Sequence, residues 1–130
     1  MSHPNESLLR ECFAAFARRD LSALGELLTD DIVWVTPGRN LLAGEFRGRA
    51  SVLAYLERAL ALSADTLDVV PEDILANDER GVAVLRVSGE RGGRILDDRT
   101  VQLFEFRDGK VSGRWLYPAD ARAVDLFWSD

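Results

Sequence analysis

Apolar positions recur with a helical period in the first half of the chain and alternate through most of the second. Leu8, Cys12 and Phe16 form one stripe with Leu9 and Phe13 beside it, which predicts a helix capped at Asn5 and running to about Arg19. A short helix restarts at Asp20 or Ser22 and turns Leu21, Leu24, Leu27 and Leu28 inward. A third, over about 49–63, carries two apolar rows, one through Leu53, Leu56 and Leu60 and one through Val52, Tyr55 and Ala59. Two rows predict burial on more than one side. Between the second and third helices, "TDDIVWVTPG" alternates as a strand until Pro37 removes a backbone donor, and "RNLLAGEFRG" reads as a loop broken by Gly44 and Gly48.

Beyond the third helix the period is two. "TLDVVPEDILAN", "GVAVLRVSGER", "GRILDDRTVQLFEFRDG" and "KVSGRWLYP" read as four strands, with Pro71 marking an edge or a bulge. Gly92-Gly93 and Asp108-Gly109 supply the positive φ that tight hairpins need. "ADARAVDLFW" closes the chain as a short helix with Val124 and Trp128 on one face. Helices gathered early and antiparallel strands gathered late predict an α+β fold rather than a βαβ sheet. No repeat or linker interrupts the pattern, so residues 1–130 are read as a single domain. A curved sheet wrapped over three helices leaves a cone, and a concave space of that kind is the default ligand site.

Charge and composition narrow the functions. The net charge of −6 opposes binding to phosphates or anionic membrane, and Arg47/Arg49 and Arg91/Arg94 form no basic face with interleaved aromatics, so no nucleic-acid or membrane partner is expected. Cys12 is the lone cysteine, which rules out an intrachain disulfide, and its apolar helical setting makes it packing rather than a nucleophile. His3 is the lone histidine and lies in a polar N-terminal stretch, which argues against a catalytic triad or a histidine metal site. Asp30/Asp31 and Asp97/Asp98 lack calcium-loop spacing. Neither metal nor cofactor is expected. The polar, acidic start and the lack of a membrane-length apolar run give a cytoplasmic reading.

The helix–helix–strand order, the Gly-x-x-x-Gly loop "GEFRG" before the third helix and "FEFRDGKVSGRW" ahead of a C-terminal tail resemble the NTF2-like superfamily. Within it the chain is most similar to the SnoaL-like proteins, the branch that includes polyketide cyclases. The resemblance implies a cone-shaped fold, three N-terminal-half helices on a strongly curved, mainly antiparallel sheet, and frequent homodimers formed through the sheet. It implies a cofactor-free cyclase or isomerase acting on a small apolar or polycyclic carbonyl compound. The superfamily also holds non-catalytic binding modules and interaction domains whose cavity is filled by side chains, so both remain open. In its ketosteroid isomerase branch a tyrosine, a base and a neutral acid share the work. The matching positions here are Cys12, Thr36 and Gln102, none of them ionisable in the required way.

The candidate site residues follow from strand faces. Trp34 and Thr36 share a side of the first strand, either lining a pocket or serving as core beside a local backbone bond. If Gln102 faces inward, the two-residue period brings Asp98, Thr100, Phe104 and Phe106 with it. Asp98 is then a candidate acid or base among aromatics, or else a rim residue paired with Arg86. Asp120 lies near the place of the catalytic aspartate that the SnoaL resemblance implies, or it caps the last helix. Arg86 and Arg114, mid-strand with apolar flanks, either orient an acidic ligand or pair with Asp98 or Glu105. Tyr55 and Tyr117 present a hydroxyl to the cavity or pack with a wet tip. Val101 and Leu103 make the outward face more apolar than a solvated sheet, which points to a sheet-mediated homodimer.

Overall fold

A computed structural model describes residues 3–130. Helices α1 (Pro4–Ala17) and α2 (Leu21–Glu26) lead into β1 (Leu28–Thr36), β2 (Gly44–Arg47) and α3 (Arg49–Leu62). Four strands follow, β3 (Asp68–Ala76), β4 (Arg80–Arg91), β5 (Arg94–Arg107) and β6 (Lys110–Pro118), and then α4 (Ala121–Phe127). The strands form one sheet in the order β2-β1-β6-β5-β4-β3. Only the β1–β6 pairing is parallel; the hairpins make every other pairing antiparallel. The fold is therefore the α+β arrangement that the sequence pattern predicts.

The turns bear out the glycine signals. Asp108 and Gly109 have φ of 54° and 75°, and Gly92 and Gly93 have 55° and 83°, as a two-residue turn matched to the strand twist requires. β3 is an edge strand, and its register shifts between Pro71 and Asp73 where proline cannot donate to the ladder.

Three boundaries differ from expectation. Leu27 and Leu28, read as part of the second helix, are its C-cap and the first residue of β1. Gly44–Arg47, read as loop, pairs antiparallel with β1 from Thr36↔Gly44 to Val33↔Arg47. It is a short edge strand with one apolar residue in four, so it has no period to betray it. The cap of α1 is His3, not Asn5: His3 Nδ1 accepts from the Asn5 amide at 3.0 Å, and Pro4 opens the helix with φ already set. The Asn5 side chain instead donates to Asn77 O at 3.0 Å, and His3 Nε2 lies 2.8 Å from Asp78 Oδ1, tying the helix start to the β3–β4 turn.

The core lies between the concave side of the sheet and the helices, with Leu9, Ile32, Val52, Leu85 and Phe127 fully buried. α1 reaches the sheet closely because Gly81 on β4 has no side chain: a Cβ there would stand 2.8 Å from both Leu9 Cδ1 and Phe106 Cζ. Gly81→Ala is expected to destabilise the protein by about 1–3 kcal/mol through overpacking. Urea unfolding checks this, and an unchanged midpoint would contradict the packing described.

Candidate functional site

Period-two alternation decides which side chains meet. On β5 the even positions Asp98, Thr100, Gln102 and Phe104 are buried on the concave side, while Arg99, Val101 and Leu103 face outward. Ladder pairing carries the same division across the sheet. Gln102 opposes Leu116, Phe104 opposes Arg114, and Arg114 stands beside Trp34 in the parallel pairing. α1 contributes Cys12, Phe13 and Phe16 to the opposite wall, and α3 contributes Tyr55, Leu56 and Ala59. Val124 of α4 and Trp128 close one end. The cavity has a volume of about 120 Å³ and is partly open to solvent.

Its polar centre is Arg114, 2% exposed. Nη1 donates to Val35 O at 3.0 Å and to Thr36 Oγ1 at 2.9 Å, and the Thr36 hydroxyl in turn donates to Tyr55 Oη at 2.9 Å. The guanidinium carbon sits 4.5 Å from the centre of the Trp34 ring and 5.9 Å from that of Tyr55, so cation–π attraction replaces part of the lost hydration. Burial pushes the pKa of Arg114 below its ordinary value, and the Tyr55 hydroxyl opposes that shift. An arginine stays charged even so. No carboxylate pairs with it among the described residues, and its Nε and the Trp34 indole N–H have no hydrogen-bond acceptor.

Asp98 lies farther along the same face, 5% exposed. Oδ2 accepts from Thr100 Oγ1 at 2.7 Å and from the Ala119 amide at 3.3 Å, and Oδ1 accepts from the Asp120 amide at 3.0 Å. The carboxylate thus fastens the turn between β6 and α4. The far end of that segment is held independently. Asp125 Oδ1 accepts from Asn40 Nδ2 at 2.7 Å and from the Arg39 amide at 3.0 Å, while Arg91 donates to Ser129 O at 2.6 Å. α4 is a lid pinned at both ends.

Seven of the ten candidate residues line the cavity: Trp34, Thr36, Tyr55, Asp98, Gln102, Phe104 and Arg114. Three do not. Arg86 opposes Arg99 on the outer face and pairs with Asp97 at 2.9 Å, not with Asp98. Tyr117 opposes Val101 on the same outer face and is 54% exposed. Asp120 is exposed and accepts from the Ala123 amide at 3.0 Å, an N-cap pointing away from the cavity. Thr36 makes no local backbone bond, and Trp34 lies under a guanidinium rather than bare to a ligand ring. Sequence reasoning left out the closing wall, Trp128 and Leu42. Val124 and Trp128 share a helical face in the sequence, but nothing local says that this face closes a cone.

Cys12, Thr36 and Gln102, the positions that match the ketosteroid isomerase groups, do converge on the cavity. Their chemistry is different. Desolvation, with the nearby Glu11 charge, raises the Cys12 pKa to about 12, so the thiol is inert at neutral pH. Among the described residues no cluster of three His, Cys, Asp or Glu side chains forms a metal site.

A curved sheet closed by helices around a buried polar centre defines a class of small conical domains, and the comparisons place the chain in it. The SnoaL-like domain profile matches residues 9–113. The uncharacterized protein Rv0034 of Mycobacterium tuberculosis is 37% identical over 123 residues, covering 94% of each chain. Bal32a, from a soil-derived mobile gene cassette, has a solved structure with a TM-score of 0.93 at 33% identity, covering 96% of both chains. An NTF2-like protein of Burkholderia xenovorans superposes with a TM-score of 0.83 at 26% identity, over 99% of this chain and 98% of that one. The chain belongs to the SnoaL-like domain family of NTF2-like fold.

Asp98→Ala removes the acceptor of two backbone amides and is expected to cost about 1–3 kcal/mol. Hydrogen exchange is expected to accelerate across residues 119–128 before it does in the sheet. Uniform acceleration, or none, would show that Asp98 does not fasten the lid.

Proposed function

We propose that this domain binds a compact, mainly apolar carbonyl compound of one ring in the cavity between its sheet and α3. The observation that carries the reading is a free volume of about 120 Å³ with apolar walls around a buried Arg114–Thr36–Tyr55 network. That volume lies below the roughly 150 Å³ of a cavity that admits benzene, which counts against a polycyclic body and limits the ligand to one ring at most. The same free volume counts against an interaction domain filled by its own side chains. Titration of cyclohexanone followed by amide NMR is expected to shift resonances confined to the concave wall, Trp34 and Gln102 among them. Absent or scattered shifts would contradict the proposal.

Catalysis is the second reading: a cofactor-free isomerase or cyclase in which Asp98 moves the proton. Its support is the burial of that carboxylate in the cavity wall; the three hydrogen bonds it already accepts favour binding alone. Conversion of 3-cyclohexen-1-one to its conjugated isomer tests this. The catalytic reading predicts turnover lost by about a hundredfold or more in Asp98→Asn and kept in Asp120→Asn. A parent protein that only binds the ketone would refute it.

We also read residues 1–130 as one SnoaL-like domain, residing in the cytoplasm, where the lone thiol of Cys12 stays reduced. No helix among the described residues is long and apolar enough to cross a membrane. The convex face supports a homodimer: Val82, Val84, Val101, Leu103 and Trp115 are only half-buried on it, and Tyr117 and Leu75 are exposed. Arg86–Asp97 and Arg99–Glu72 place both charges along this strip, which makes it self-complementary about a two-fold axis. Light scattering is expected to give a dimer for the parent and a monomer for Tyr117→Glu. A monomeric parent would contradict this arrangement.

A further inference from the structure

Among the described residues seven arginines pair with carboxylates, and every one of them is at least 29% exposed in its side chain. Arg114, the arginine whose charge is hardest to leave uncompensated, has no such partner among the described residues. A buried charge without a counterion is strongly unfavourable and is kept where something else needs it. What holds Arg114 is neutral: a carbonyl, a hydroxyl and an aromatic face. These fix its position without neutralising it.

Two donors at this centre lack acceptors. Nη1 is committed to protein oxygens, but Nε is not, and the Trp34 indole N–H beneath the guanidinium is also unpaired. The Gln102 amide lines the cavity at 7% exposure and is engaged by no protein group among the described residues. Asp98, the one acidic side chain in the cavity lining, lies four positions from Gln102 on β5, about 13 Å along an extended strand. Its oxygens are taken by Thr100 and the lid amides. It does not serve as the counterion.

Building on the reading of this cavity as a ligand site, we propose that its ligand is a monoanion, a one-ring apolar body bearing a single carboxylate that Arg114 receives. The carboxylate is the group whose paired oxygens match the edge of a guanidinium. Gln102 supplies a neutral donor and acceptor for the rest of the head group. A single cation in the cavity lining, in a chain of net charge −6, suits a single negative charge and disfavours phosphates and other polyanions. Apolar walls and a volume of about 120 Å³ limit the remainder to one ring.

Benzoate and its neutral isostere benzamide, titrated at pH 7.5 against the full chain by calorimetry, separate charge from shape. Benzoate is expected to bind at least about tenfold more tightly, as a charge-assisted hydrogen bond to a buried group gives. Arg114→Met is expected to abolish that preference while benzamide still binds. Equal binding of the two by the parent would overturn the anion receptor and leave the ligand cavity standing. If benzoate, benzamide and cyclohexanone all fail to bind at millimolar concentration, both readings fall. Should Arg114→Met not fold, the benzoate–benzamide ratio on the parent decides alone.

Discussion

Arg114, 2% exposed and without a counterion among the described residues, is the constraint around which the concave face is arranged. It stays charged, so the structure has to offer it something in place of water. Trp34 offers a ring face, Val35 and Thr36 offer oxygens, and Tyr55 braces the threonine from α3. Three elements are thereby fixed to one another through one side chain: β6, β1 and α3. Apolar residues at Thr36 and Tyr55 would pack this corner well, but would leave the charge with a single protein acceptor.

The opposite end of the cavity is organised by the complementary charge. Asp98 gathers the amides of Ala119 and Asp120, and Arg91 holds the carbonyl of Ser129 at the far end of α4. The lid therefore hangs from ionic side chains at its ends as well as from the apolar contact of the buried Phe127 and Trp128. Cation and anion lie at separate stations on one sheet face, each held by neutral partners. Had they met, they would have satisfied each other, and the cavity between them would hold little to recognise a polar ligand.

Much of the fold was legible because long amphipathic segments carry their own period. α1, α3 and the four late strands fall where apolar spacing puts them, and Asp108-Gly109 and Gly92-Gly93 mark their own turns. β2 was not legible, since Gly44–Arg47 is short, mostly exposed and turns a single apolar side chain inward, Phe46 against Tyr55. The site divides in the same way. Once Gln102 faces inward, strand alternation brings Asp98 and Phe104 with it. Arg86 and Tyr117 were misplaced because their facing depends on the register with β5, which no local feature reveals. Asp120 lies near the place where the resemblance implies a catalytic aspartate and has the geometry of a cap, which its bond to Ala123 reveals. The pairing of Arg114 with Trp34 depends on a parallel contact between distant strands, which local spacing does not encode.

A high-resolution crystal structure of the protein without added ligand tests the central claim most directly. The account predicts an open cavity in which ordered water or a co-purified molecule hydrogen-bonds to Arg114 and Gln102, with no carboxylate of the chain beside the guanidinium. A cavity collapsed onto its own aromatic side chains, or Arg114 paired with a carboxylate of the chain such as Asp98, would contradict it.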